Sequence, residues 1–196
     1  MTEVKITRRQ EILETLAGML ETHPGRITTA ALAAEVGFSE AALYRHFPSK
    51  TKMYEGLIEF MEDAIFSRIK QYTKAEQPSI AILYDITTLV LVFAERNAGF
   101  CRLLTGEAIA VENERLRARI ALVFNRLESE IKKVIKAAEL KESLRPQIRA
   151  RDQANFVVAI LSGKISQYVR SDFKAKPTEN WEQQWHFLAA DFFRVV

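Results

Sequence analysis

Cysteine occurs once in the 196 residues, at Cys101, so an internal disulfide is excluded and the chain suits a reducing compartment. Nothing beside Cys101 resembles a base, and a small buried apolar residue fits the position better than a nucleophile. Histidine is almost as scarce: His23, His46 and His186 are scattered, with no spacing that would hold a metal. A glycine-rich phosphate loop and a nucleophile motif are both missing. These gaps point away from an enzyme and imply no catalytic residue, no metal and no cofactor. With only seven Gly and five Pro the chain has too few turn formers for a turn-rich β fold, and it shows no convincing strand-like alternation. Long apolar runs are lacking too. The segment Met1 to Ile6 has no apolar core of a signal peptide, and the longest apolar stretch, near Thr88 to Ala94, is too short to span a bilayer. A cytoplasmic protein without a membrane partner is expected. Charge of either sign is nearly balanced: a net +3 with pI about 9.0 is compatible with a polyanionic partner but does not establish one.

What is present is helix-forming composition, 48% hydrophobic and rich in Ala, Leu, Ile, Glu, Lys and Arg, enough for one sizeable core or a small module attached to a larger one. Ile12, Leu13, Leu16, Met19 and Leu20 share one helical face, so a first helix is expected over roughly 7–22, broken by His23-Pro24-Gly25. Thr28 caps a short helix with Leu32, Ala33 and Val36 inside; Gly37 ends it; Ser39 caps the next, which carries Leu43 inward. From Lys50 a long pattern runs to about Tyr72, and after a polar stretch the run Ile82 to Ala94 reads as a helix buried on most sides. Further helices are expected at roughly 99–110, 112–140 and 147–171, with Pro146 at the start of the last, and a final helix carries Trp181, Trp185, Leu188 and Phe192.

The segment from Arg26 to Phe47 has the plan of a helix-turn-helix: Ala33 lets two helices cross closely, Gly37 permits a left-handed turn, and Val36 and Leu43 close a small core. Such a unit lays its second helix in the major groove of duplex DNA. On that helix, which Ser39 opens, Glu40, Ala41, Ala42, Tyr44 and Arg45 are the candidates to face out. Alanines allow close approach and touch thymine methyls, whereas hydroxyls and basic groups hold phosphates, which sets position without conveying sequence. Thr28, Thr29, Tyr44, His46 and Lys50 are the phosphate candidates. Glu40 faces repulsion from phosphates unless it accepts a hydrogen bond from a cytosine amino group. Pattern alone leaves a second reading open, a helical hairpin capping a bundle with Tyr44 and Phe47 as core aromatics. The basic segment Lys5 to Arg9 reads equally as an arm reaching DNA or as a solvated helix start.

The run Ile27-Thr28-Thr29 and then Ser39 through Lys50, with leucine, tyrosine, a variable residue, histidine, phenylalanine and a lysine beyond, closely resembles the DNA-binding domain of the TetR family. Arg8 to Leu13, Leu57 to Phe60, Phe93 to Asn97, Arg102 to Gly106 and Val169 to Lys174 extend the likeness over nearly the whole chain, and resemble the nucleoid-occlusion branch of that family. The resemblance implies an all-α, TetR-like fold of about nine helices. It comprises a three-helix DNA-binding head over residues 1–50 and a helical dimerisation and partner-binding body over 51–196. It also implies a homodimer on a palindromic site, associated with the nucleoid, that when DNA-bound binds the C-terminal tail of the tubulin-like division protein FtsZ and antagonises its assembly.

In that branch the tail lies between the fourth and fifth helices, and the matching positions are Phe60, Arg68, Leu89, Arg96 and Asn97. Phe60, Ala64 and Arg68 share a helix face by spacing, and Arg96 suits a carboxylate. Without the resemblance, Phe60 and Leu89 read as ordinary core and Arg68 as a solvated charge. The chain departs from the branch at Val92, where a small residue is usual, at Ala98, where a proline is common, and at Glu107, where a histidine is usual. The last two helices resemble the family's dimerisation bundle. Trp181, Trp185, Leu188, Phe192 and Phe193, with Ala159 and Gly163 permitting close approach, are excessive for one monomer surface, although burial within the monomer also accounts for them. A ligand-responsive TetR-type transcriptional repressor is the alternative function. Tight filling of the interior by Leu89, Phe93, Phe124 and Phe156 would count against it.

Overall fold

The computed structural model describes residues 7–23, 27–109 and 113–195. Within them lie α1 (Arg8–Thr22), α2 (Thr29–Val36), α3 (Glu40–His46), α4 (Lys50–Tyr72), α5 (Ser79–Arg96), α6 (Ala98–Leu104), α7 (Glu114–Lys141), β1 (Leu144–Pro146), α8 (Ala150–Arg170), α9 (Trp181–Ala189) and β2 (Phe193–Val195). Two compact units divide them: Met1–Met61 with Asn97–Ile120, and Glu62–Arg96 with Ala121–Val196.

In the first unit the apolar stripe of α1, Ile12, Leu13, Leu16 and Leu20, is buried, and so are Leu32, Leu43, Phe47, Met53 and Leu57 from the elements that follow. Burying each of these side chains contributes roughly 1.5–3 kcal/mol. Side-chain caps start the helices where the sequence places them: the hydroxyls of Thr7, Thr28 and Ser39 accept from the backbone N–H groups of Gln10, Ala31 and Ala42. Asn113 does the same for α7, accepting from Leu116 N at 3.1 Å, and its amide also donates to Thr51 Oγ1 at 3.3 Å. α6 lies close against α1. A Cβ at Gly99 would collide with the carbonyl oxygen of Ala17, so glycine is what permits the approach. Buried Arg102 donates to the carbonyls of Leu20 and Glu21 at 3.0 and 3.1 Å, supplying donors to the end of α1, and pairs with Glu107 at 3.3 Å. Glu107, one of the three positions named above as departing from the branch the chain resembles, thus balances a buried guanidinium.

The second unit is built around α5, whose Ile82, Leu83, Ile86, Val90 and Leu91 are buried, with α8 and α9 packed against it. Thr87 lies in this apolar face and satisfies its hydroxyl on the carbonyls of Leu83 and Tyr84. The Glu142 carboxylate at the end of α7 accepts from Ser79 N at 2.9 Å and from the Ser79 hydroxyl, capping α5 from a distant part of the chain.

Several expectations are corrected. Leu144 to Pro146 pair antiparallel with Phe193 to Val195, so the chain carries a short two-stranded sheet in addition to its helices. Three-residue strands are too short to show an alternating pattern. Pro146 belongs to that strand and pairs with Phe193, and α8 starts at Ala150. α6 ends at Leu104, earlier than expected, and a turn follows in which Gly106 adopts φ 82°. The aromatic run of the last helix is mostly core: Trp181 and Trp185 are 3% and 6% exposed, and Phe192 is buried beside them. Trp181 Nε1 donates to Thr88 Oγ1 at 3.1 Å, and the Trp185 ring lies 5.7 Å from that of Tyr84. Of the four residues whose tight filling of the interior would count against a ligand pocket, Phe156 is 54% exposed and Leu89, Phe93 and Phe124 are half-buried. Lys5 and Ile6 of the basic arm, the break at Pro24-Gly25, Arg26, and the expected helix boundaries near 110 and 112 lie outside the described residues.

Candidate nucleic-acid interface

Two short helices and the turn between them set the geometry of the head. Gly37 takes φ 77°, and the N–H groups of Gly37 and Phe38 return to the carbonyls of Ala34 and Ala33, closing the C-terminus of α2. Leu43 is fully buried, which turns the opposite side of α3 outward. Ser39, Glu40, Ala41, Tyr44, Arg45 and His46 are exposed, as is Thr28; Ala42, Thr29 and Lys50 are half-buried. On α3 and its cap the outward residues offer two small methyl-bearing positions, the hydroxyls of Ser39 and Tyr44, the Arg45 guanidinium and the His46 ring, a set suited to groove and backbone contact.

Three of the expected residues meet. The Thr29 hydroxyl donates to Glu40 Oε2 at 2.8 Å, and the Tyr44 hydroxyl donates to Thr29 Oγ1 at 3.4 Å. Lys50 does not join them: its ammonium donates to the carbonyl of Ile27 and lies 5.7 Å from the Tyr54 ring centre. The hydroxyls of Thr28 and Ser39 accept as helix caps and keep a hydrogen of their own to give.

Phe38 is a part of this surface that sequence reasoning missed. It stacks on His46 at 6.3 Å, and the Arg8 guanidinium sits 5.5 Å over its ring, while Arg8 also pairs with Glu11 at 2.8 Å. Arg9 covers the ring of buried Phe47 at 4.4 Å. The two arginines are thereby fixed against the recognition unit. An aromatic directly after the turn glycine was the available signal, because a hydrophobic residue there packs back on the helix it follows.

Of the residues matched by resemblance to the peptide-binding positions of the branch, Phe60 and Asn97 belong to the first unit and Arg68, Leu89 and Arg96 to the second. Phe60 is 43% exposed and stacks on Phe100 of α6 at 6.3 Å, so it is not ordinary core. Asn97 precedes α6 and is half-buried. In the second unit Arg68 is exposed and donates to Gln71 at 3.5 Å, Leu89 is half-buried on α5, and Arg96 is exposed at its last position. Beside Arg96, Glu95 accepts from Thr178 and pairs with Lys176 at 3.3 Å; the Thr178 bond leads in holding its carboxyl below the usual range. Burial pushes the Cys101 thiol up to about 12, so it is not a thiolate at neutral pH and does not suit nucleophilic chemistry. No described helix is long and apolar enough to cross a membrane, and the described residues contain no cluster of potential metal ligands.

Residues 19–57 match the family model of bacterial regulatory proteins of the tetR family, and residues 78–192 match that of the SlmA-like, tetracyclin repressor-like C-terminal domain. The nucleoid occlusion factor SlmA of a Marinomonas species is 57% identical over 190 residues, 96% of each chain. SlmA of Shewanella amazonensis is 50% identical over 185 residues, 94% of each chain. The chain belongs to the SlmA branch of the TetR family. Among solved structures, the regulator FadR from Bacillus subtilis, solved in complex with stearoyl-CoA, superposes with a TM-score of 0.81 at 11% identity, covering 94% of this chain and 100% of that one. A TetR regulator from Haloarcula marismortui gives 0.79 at 18% identity, with 95% and 98% covered. These two likenesses establish a shared fold. The TetR match takes in α2, α3 and the turn between them, and the SlmA-like match takes in α5 through α9.

Proposed function

We propose that this protein is a sequence-specific DNA-binding nucleoid-occlusion factor that, once on chromosomal DNA, binds FtsZ and inhibits assembly of the division ring over the nucleoid. The observation that carries the reading is the identity of 57% and 50% to nucleoid occlusion factors over nearly whole chains, together with the SlmA-like match across 78–192, well beyond the DNA-binding head. In this reading residues 1–50 are the head, and 51–196 serve dimerisation and partner binding in the cytoplasm at the nucleoid. α3 enters the major groove. Ser39, Glu40, Ala41, Ala42 and Arg45 face the bases, and Thr28, Thr29, Tyr44, His46 and Lys50 the backbone.

Two copies joined through α8 and α9 present paired α3 helices to a palindrome. Phe187, 83% exposed on α9, and Phe156 on α8 form the apolar seam. Phe156 also lines a cavity of about 170 Å³ together with Ile148, Ile160 and Leu188. The FtsZ tail, apolar and acidic, is anchored by Phe60 and Leu89 and held in charge by Arg68 and Arg96, with Asn97 offering an amide.

Capture of an FtsZ C-terminal peptide by the DNA-bound protein tests the partner site. Arg68→Asp is expected to leave DNA affinity unchanged and to weaken peptide capture at least tenfold, since it replaces an attractive charge with a repulsive one. Unchanged capture would remove these residues from the site.

A further inference from the structure

The recognition helix carries a carboxylate where duplex DNA brings phosphates, and its bonds show what that carboxylate does in the free protein. Glu40, the first residue of α3, accepts the hydroxyl hydrogen of Thr29, the first residue of α2, at 2.8 Å. Thr29 in turn accepts from the Tyr44 hydroxyl at 3.4 Å. Each hydroxyl owns one hydrogen and an ionised carboxylate owns none. The bonds therefore run inward, from Tyr44 to Thr29 to Glu40, and commit both hydrogens to oxygens of the protein itself. A phosphate approaching this corner meets lone pairs and a negative charge. Thr29 and Tyr44 are exposed or half-exposed residues suited to hold the backbone, so the arrangement that satisfies Glu40 also withholds two donors from DNA.

We propose that Glu40 is a specificity-determining residue that gates the backbone contacts of Thr29 and Tyr44. A duplex that presents a base amino group to the Glu40 carboxylate draws it off Thr29, and the two hydroxyls then turn to phosphates. On other sequences the carboxylate stays on Thr29 and the backbone contacts stay weak. Cytosine is the base that fits. Its N4 amino group offers a donor in the major groove, whereas the amino group of adenine sits beside the N7 acceptor, and guanine and thymine present oxygen acceptors that repel a carboxylate. The N-terminal position of Glu40 on α3 is where recognition helices touch base edges. Base reading and backbone holding are thus joined through one hydrogen-bond chain, which raises discrimination by lowering affinity for unmatched DNA.

The inference rests on the DNA-binding reading above and is tested by a double-mutant cycle on the full chain. The probes are a duplex selected from a random pool by the wild-type protein and a scrambled duplex of the same composition. Glu40→Ala is expected to raise affinity for the scrambled duplex about fivefold, the worth of a freed hydrogen bond, and to narrow the gap between the two duplexes. In a Thr29→Val background, which removes the hydroxyl and keeps the shape, the same change is expected to gain less than about twofold, whereas in Thr29→Ser the full gain returns. Single-base variants of the selected duplex are expected to show one cytosine whose preference disappears in Glu40→Ala. Equal gains in all three backgrounds would mean that Glu40 acts only as a repelling charge and would overturn the gate, as would a base-preference profile that Glu40→Ala leaves unchanged. Failure of the wild-type chain to bind any duplex would instead overturn the DNA-binding reading, and the gate with it.

Discussion

Lys50, whose ammonium donates to the Ile27 carbonyl at the start of the helix-turn-helix, is the proposed phosphate contact at the N-terminus of α4. Such a contact neutralises charge without reading sequence. Lys50→Ala is expected to weaken binding to matched and scrambled duplexes alike and to reduce the slope of log affinity against log salt by about one. Titrations at several salt concentrations measure this, and a loss confined to a single base position would contradict it. Residue by residue, the head was largely legible in the sequence, because Thr28, Gly37, Ser39 and Leu43 act through local rules of capping, turn conformation and helical face. The bond between Thr29 and Glu40 was not, since it joins residues eleven apart across a turn whose crossing geometry no local rule supplies. The same holds for Arg102, whose partners on α1 lie more than eighty positions away.

Among the elements, α9 divides its aromatics between two tasks. Trp181 and Trp185 are buried against α5, whereas Phe187 points to solvent. Trp185→Ala is therefore expected to cost about 3 kcal/mol or more in unfolding free energy. Phe187→Asp is expected to leave the fold intact and yield a monomer in sedimentation velocity. A dimeric Phe187→Asp, or a folded Trp185→Ala of full stability, would reverse that division. The sequence showed an excess of aromatics at helical spacing but not which side of the helix meets α5, so a dimer interface and burial within the monomer both stayed open for the tryptophans. The loop after α8 is tied back to α5 by Glu95, whose carboxyl is held below its usual range chiefly by Thr178 and then by Lys176. A carboxyl lowered by folding stabilises the native state above its unfolded pKa and loses that contribution as pH falls through the folded value. The melting temperatures of wild type and Glu95→Gln are expected to differ most near neutral pH and to converge as pH falls through the lowered folded-state value. A constant difference over that range would show that the carboxylate charge has no part.

At the scale of the whole molecule, helix content and the helix-turn-helix followed from periodicity and punctuation, while the short β1–β2 pairing did not, because three-residue strands leave no periodic trace. Membership of the SlmA branch was legible from dispersed segments of the C-terminal body, and the family comparison places its match there too. The proposed partner site rests on that resemblance alone: a half-exposed Phe60 and the exposed Arg68 and Arg96 carry no local signature of a peptide ligand. Nothing in the net charge of +3 required a nucleic-acid partner, and the placement of the charges on α1, α3 and α4 carries that argument instead. In the proposed function, DNA licenses action on the division machinery. FtsZ polymer sedimentation in the presence of this protein, with and without a duplex selected by it, measures that dependence. Pelleted polymer is expected to fall when protein and selected duplex are both present and to stay near its level without protein when the duplex is left out or scrambled. Polymer that pellets equally in every mixture would contradict it.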